Sequence, residues 1–321
     1  MPKYWMITNR NAEKKQLGRK RDKLRFYVSD AAKVEKLESW TEKKGSEFRE
    51  MLIQEADAFP EVPEHLHEKQ KHVSVFIHGY NNSWDDAAKR YKQITDDLYL
   101  GDSGLGINIL FNWPSDGSKF GYYPDREDAR ETAPDLSHVL NELYEHALKM
   151  QRLAANGTRS CKAKVSVIAH SMGNFVLQNA MRYTWERQNK PLSMSLLNQC
   201  LMVGADVDND LFGSGEAVGP GDGEGIANLC YRIVALYSGR DSVLGMSSGL
   251  KHFGKRRLGR SGLDLTVPAP DNVCDLDCSR LFPADENNVH SAYFWTPNIQ
   301  AVMSDLLRGF DRKVVAEKHG L

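Results

Sequence analysis

The chain has 321 residues, 41% hydrophobic and 26% charged, enough apolar material for a full core. Its formal net charge of −1 supplies no global field to draw it to nucleic acid or to an anionic surface, so no nucleic-acid partner is expected. No run approaches the ~20 apolar residues that span a bilayer, which excludes stable membrane insertion as a working expectation. The five cysteines, Cys161, Cys200, Cys230, Cys274 and Cys278, lack the paired spacing of a metal site and read as buried thiols in a reducing compartment.

The chain enters a strand-like run at once, YWMIT (4–8), without the charged head and apolar stretch of a leader, and a cytoplasmic location is expected. LRFYV (24–28) sits close behind it, as the second member of an antiparallel opening pair would. The basic run KKQLGRKRDK (14–23) between them reads as a solvated loop. Residues 30–70 are charged, with a helical patch around Phe48, Met51 and Leu52, and form an insertion before the third strand.

From there, short apolar runs recur: VSVFI (73–77), INILF (107–111), VSVIA (165–169), CLMVG (200–204), RIVALY (232–237) and VCDLD (273–277). They are too short for helices, and their near-continuous hydrophobicity marks strands covered on both faces. Residues 83–101 have helical spacing at Trp84, Ala87, Ala88, Tyr91, Ile94 and Leu98, with Ser83 as N-cap and Gly101 as stop. Residues 134–153, 172–186 and 298–308 repeat the helical pattern. Strands alternating with helices predict one doubly wound α/β domain with a mostly parallel eight-stranded sheet. GSGEAVGPGDGEG (213–225) fits neither regular structure nor a phosphate loop; it reads as a loop, with a flap over a site as the alternative. A second basic run, KHFGKRRLGR (251–260), again reads as a solvated loop.

The chemistry gathers at strand ends. In VSVIAHSMGNFVLQNAM (165–181), Ser171 follows a buried strand and precedes a helix, flanked by Ala169 and Gly173. A serine after a strand is commonly a helix cap, but small residues on both sides of the turn match a nucleophile elbow. VFIHGYNNSW (75–84) places a glycine loop after the third strand. The amides of Tyr80 and Met172 are the expected oxyanion donors, and Gly79 allows close backbone approach. His78 reads as a loop organiser, and His170 is a poor base because a sharp turn points neighbouring side chains apart. Asp241, beyond the seventh strand, is the expected acid; Asp206, after the sixth, is its rival. His290, in NNVHSAYFW past the last strand, is the expected base.

The order Ser, Asp, His with an upstream oxyanion loop is that of α/β-hydrolases. The chain resembles the DUF900 group of bacterial proteins through MITNRN, FIHGYNNSWDDAAKRYKQI, NWPSDG, YYPDREDA, VIAHSMGNFVLQNAM, ADVDND and VHSAYF, spread from about residue 4 to residue 308. The resemblance implies an α/β-hydrolase fold with an eight-stranded sheet, a serine-hydrolase triad and neither metal nor cofactor.

The expected activity is hydrolysis of carboxylic esters, with a small-molecule ester as the partner. Thioesterase, lipase or amidase activity on the same triad, or a non-catalytic scaffold, are the alternatives. Trp113, Phe120, Tyr122 and Tyr123, after the fourth strand, either line a substrate pocket or cover the sheet, with Trp113, Tyr122 and Tyr123 as the substrate-binding candidates. No basic residue stands beside the serine in sequence, so a phosphorylated or coenzyme A substrate has no support at this level.

Overall fold

In the computed structural model, residues 2–13, 15–60, 71–80, 82–115, 122–155, 163–190, 195–213, 222–252 and 254–321 are described. Most of the glycine-rich 213–225 segment, residues 61–70 of the insertion, Cys161 and Phe120 lie outside them.

Among the described residues, nine strands form one sheet: β1 (Tyr4–Ala12), β2 (Leu17–Ser29), β3 (Thr41–Lys43), β4 (His72–Ile77), β5 (Gly106–Asn112), β6 (Lys164–His170), β7 (Leu197–Val203), β8 (Cys230–Tyr237) and β9 (Val273–Asp277). Their order is β3-β2-β1-β5-β4-β6-β7-β8-β9. β1 and β2 pair antiparallel, with Tyr4 opposite Ser29, and every pair from β1–β5 to β8–β9 is parallel. The ninth strand, β3, is three residues inside the charged insertion, too short and too polar to register in a hydrophobic pattern. The basic run at 14–23 is not a simple loop: from Leu17 it belongs to β2, whose exposed edge keeps those charges in water.

The helices are α1 (Gly45–Asp57), α2 (Trp84–Ile94), α3 (Tyr122–Ala155), α4 (Gly173–Arg187), α5 (Glu224–Leu229), α6 (Ser242–Met246), α7 (Leu258–Ser261), α8 (Val289–Ala292), α9 (Pro297–Leu307) and α10 (Arg312–His319). Alternate strand residues face opposite layers, as the pleat requires. Val73, Val75 and Ile77 of β4 pack with α1, α3, α4 and α5. Phe76 points the other way, into the layer built by α2, α9 and α10. Each such fully buried side chain contributes roughly 1.5–3 kcal/mol.

The Ser83 hydroxyl caps α2 by accepting from the Asp86 amide at 3.3 Å, as its position implies. The helix then widens into a π turn, Thr95–Tyr99, before Gly101 turns the chain at φ 84°. α3 starts twelve residues earlier than the pattern from 134 indicates, because Pro134 lies inside it. Proline removes one helical hydrogen bond, and the burial of Ala129 and Ala133 before it and of Leu136, Val139 and Leu140 after it keeps both halves in the same layer.

The chain runs from β4 to β5 on one side and then crosses through α3 to β6 on the other side of β4. This reversal opens a crevice beyond the carboxyl ends of β4 and β6, the place where open α/β sheets gather ligands.

Candidate active site

Ser171 sits at the carboxyl end of β6 with φ 52°, in the left-handed region that costs a non-glycine residue ~1–2 kcal/mol. The turn is held from three sides. The Ser171 amide donates to Val203 O at 3.0 Å, and the Ser171 carbonyl accepts from the amides of Asn174 and Asp206, both at 3.1 Å. Asn174 Nδ2 donates to Ala169 O at 2.9 Å. A Cβ at Gly173 would stand 2.5 Å from Ile77 O and 2.6 Å from His78 O, so only glycine lets α4 start this close to β4.

His290 and Asp241 meet that serine from distant parts of the chain. His290 Nε2 is 2.9 Å from Ser171 Oγ, and His290 Nδ1 is 2.7 Å from Asp241 Oδ2. The carboxylate acceptor places the proton on Nδ1 and leaves Nε2 to accept from the serine hydroxyl. Asp241 is fully buried, and its other oxygen, Oδ1, caps α6 by accepting from the Leu244 amide at 2.9 Å. Its position is therefore fixed by a helix start as well as by the histidine.

Asp206, the rival acid, is engaged elsewhere. Its Oδ1 accepts from Arg257 Nε at 2.8 Å and Ser247 Oγ at 3.1 Å, and its Oδ2 from the Tyr122 hydroxyl at 2.9 Å. Burial pushes its pKa up, but the Arg257 guanidinium and the Tyr122 hydroxyl prevail and hold it below the usual carboxylate value. Arg257 is itself only 1% exposed and also bonds Asp208. The 251–260 run is thus not a solvated loop throughout: Arg257 is an internal counter-ion, and Arg260 donates to the Asp241 backbone carbonyl.

The loop after β4 lies against the elbow. A Cβ on Gly79 would meet Ser171 Cβ at 2.7 Å. Asn82 Nδ2 donates to the carbonyls of Gly79 at 2.8 Å and Tyr80 at 3.1 Å, fixing the loop from inside. Behind it, buried Arg10 donates to Asn112 Oδ1 at 2.9 Å, Gly18 O at 3.1 Å, and the carbonyls of Asn82 and Ser115 at 3.3 Å. His78 is fully buried, and burial, with Arg10 nearby, lowers its pKa to about 3, so it is neutral. Its Nδ1 lies 3.0 Å from Gly79 O, and its Nε2 accepts from the Trp113 amide at 3.2 Å. Tyr80 and Met172 directly follow the two residues that meet at this contact, Gly79 and Ser171.

A cleft of about 510 Å3 opens over Ser171 and His290. Of the three candidate substrate-binding aromatics, read as either pocket lining or sheet cover, Tyr122 lines the cleft. Trp113 does not: it is fully buried, stacked on His78 with ring centroids 5.4 Å apart, and its Nε1 donates to His78 O at 2.8 Å. Its role is to support the loop from beneath. Tyr123 also lies outside the lining; it is 59% exposed and packs edge-on against Tyr122.

The lining also holds Arg90, Lys251 and Ser291, which sequence reasoning assigned to no site, and His170, which it weighed only as a base. His170 Nε2 donates to the His290 backbone carbonyl at 2.8 Å, and its Nδ1 accepts from Arg90 Nη1 at 3.3 Å. Burial first, then His290 and Arg90, lower its pKa well below the ordinary histidine value. It is a neutral brace for the segment carrying His290. Arg90 could have been noticed, because it borders the buried stripe of the helix that directly follows the glycine loop. Lys251 opens the basic run 251–260, but nothing local ties that run to the serine.

Over 149 residues the chain is 22% identical to the uncharacterized protein alr1448 of Nostoc sp., covering 40% of this chain and 35% of that relative's length. Among solved structures, it is similar to Aspergillus fumigatus lipase B (12% identity, 81% of this chain and 60% of that one, TM-score 0.42). It is also similar to a Pyrobaculum calidifontis esterase (10% identity, 74% and 77%, TM-score 0.37). A thermostable esterase from Pseudomonas putida matches at 10% identity over 94% and 83% of the two chains, TM-score 0.36. The profile of the family described as alpha/beta hydrolase of unknown function (DUF900) matches residues 54–266, a shorter span than 4–308 that includes Ser171 and Asp241 and stops before His290. With about two thirds of its length matched, the chain belongs to the DUF900 family of α/β-hydrolases.

Proposed function

We propose that the protein is a serine hydrolase that cleaves carboxylic esters through an acyl-enzyme on Ser171. The observation that carries this reading is the single imidazole of His290 standing 2.9 Å from Ser171 Oγ and 2.7 Å from Asp241 Oδ2. A base oriented by a buried acid and aimed at a hydroxyl is the arrangement nucleophilic catalysis needs.

As Ser171 Oγ bonds to the ester carbonyl carbon, its proton passes to His290 Nε2. Asp241 holds the imidazole in the competent tautomer and offsets the charge it gains. The carbonyl oxygen becomes an oxyanion and is received by the Met172 and Tyr80 amides, each such donor contributing ~10²–10³ in rate. When the carbon–oxygen ester bond breaks, the Nε2 proton goes to the leaving alkoxide. Water then gives a proton to His290 and its hydroxide attacks the acyl carbon. The Ser171 Oγ–carbon bond breaks, the proton returns to Oγ, and a carboxylic acid leaves.

The test is active-site labelling with a fluorophosphonate together with the burst of alcohol product from a small aryl ester. Wild type should be labelled at Ser171 and show the burst; Ser171→Ala and His290→Ala should do neither. A folded wild-type protein that is neither labelled nor active on short and medium esters would instead be a binding protein on a hydrolase frame.

A further inference from the structure

Two cations face the cleft over Ser171, and neither has a carboxylate partner within ion-pair distance among the described residues. The Arg90 guanidinium makes its hydrogen bonds to neutral acceptors, His170 Nδ1 at 3.3 Å and Ser291 Oγ at 3.0 Å. Lys251 Nζ lies 3.9 Å from the centre of the Tyr122 ring and 5.0 Å from that of Tyr80. Ring faces attract a cation but leave its N–H donors free for a stronger acceptor.

The negative charges nearby do not cancel them. Asp206 is the acid in the lining, and its charge is matched by Arg257 at 2.8 Å. Asp241 lies behind His290 and is not in the lining. Burial lowers the pKa of Arg90 to about 10, and burial also lowers that of Lys251 against the pull of Asp206; Arg90 stays charged at neutral pH. Asp86 acts on Arg90 and Asp206 on Lys251 only from beyond ion-pair distance, so the desolvation of each cation is incompletely offset, and an entering anion would offset more of it.

We propose that the cleft takes esters bearing an anionic group, a carboxylate or a phosphate, that Arg90 and Lys251 recognise. The inference rests on the hydrolase reading above and names its substrate class. It also reverses the expectation drawn from sequence, where no basic residue stands beside the serine. Arg90 arrives from α2 and Lys251 from the turn after α6, each far from residue 171 along the chain.

Two matched pairs of aryl esters test it, each comparing an anion with a neutral counterpart. For the acyl half, the para-nitrophenyl monoester of glutarate is compared with para-nitrophenyl hexanoate. For the alcohol half, the acetyl ester of meta-hydroxybenzoate is compared with that of methyl meta-hydroxybenzoate. At least one pair should favour the anion by about tenfold or more in kcat/KM, and the ratio should fall in both Arg90→Gln and Lys251→Gln. The ratio separates recognition from mere support, because a structural role for Arg90 would slow both members of a pair alike.

A wild type that handles the neutral ester as well or better in both pairs overturns the anion and leaves the hydrolase standing, as would a preference that survives both substitutions. Absence of turnover together with absence of fluorophosphonate labelling at Ser171 overturns both readings. If Ser171 is labelled but no ester turns over, glutarate should slow labelling of wild type more than of Lys251→Gln; absence of that protection overturns the inference.

Discussion

His170 Nε2 lies 2.8 Å from the backbone carbonyl of His290, so the residue preceding the candidate nucleophile braces the segment that carries the candidate base. Arg90 completes the brace by bonding both His170 Nδ1 and Ser291 Oγ. Replacing His170 with Phe removes the donor and leaves that carbonyl without it. The expected outcome is a fall in kcat of roughly 10²-fold through misplacement of the imidazole, with the circular dichroism spectrum retained. Steady-state kinetics on an aryl ester measures it, and an unchanged kcat would show that His290 holds its place without the brace.

Asp241 and Asp206 should separate cleanly on substitution. Asp241→Asn keeps an oxygen for the α6 cap but loses the tautomer control over His290, and kcat should drop by about 10³–10⁴-fold with little loss of stability. Asp206→Asn removes the buried one of the two acids that pair with Arg257 and leaves Asp208, so the cost should be up to ~3 kcal/mol, which urea unfolding would report. If instead Asp206→Asn abolished turnover in a protein of wild-type stability, the assignment of the acid would be wrong.

Gly79 faces a steric limit rather than a conformational one. An alanine there would put its methyl 2.7 Å from Ser171 Cβ, and the β4 loop would have to move away from the elbow. Gly79→Ala should lower kcat by about 10²–10³-fold, the effect of a displaced oxyanion donor, and change KM far less. A variant of wild-type kcat would argue against the Tyr80 amide as donor.

Acid should destabilise the fold well above the range where most carboxylates titrate. His72 and His78 have pKa values lowered to about 3 by burial, and that of His170 is lowered well below normal for the same reason. In the unfolded chain they titrate near ~6.5. Between these values the unfolded state binds more protons, so stability is full above about pH 7 and declines as the pH falls toward the native values. Unfolding should take up nearly three protons from these imidazoles between pH 6 and 4, with a further contribution from His252 and His146, whose pKa values burial also lowers, read from the slope of unfolding free energy against pH. A flat profile across that window would contradict neutral burial of these imidazoles.

Much of this arrangement was legible in residue order. The short β-branched runs revealed the strands, because a strand buried on both faces has no polar positions to hide it. Ser171 and Gly173 marked the elbow, since the turn tolerates so little bulk. β3 and the first turns of α3 were not legible, the one for its polarity and the other because Pro134 reads locally as a break. Trp113 shows the same limit at the site. An aromatic after a strand looks alike whether it faces a ligand or a neighbouring histidine, and here it stacks on His78.

By itself, the sequence determined which segments end in reactive side chains and in what chain order they come, because local hydrophobic pattern and turn chemistry are written in adjacent residues. Only the tertiary structure set Asp241 against His290 and Asp206 against Arg257, and only it set Arg90 and Lys251 over the serine. The reason is physical: both aspartates follow strands with equal local logic, but one is claimed by a buried arginine 51 residues away and the other by a histidine 49 residues away. Such pairings depend on how the sheet reverses direction at β4 and on what packs above it.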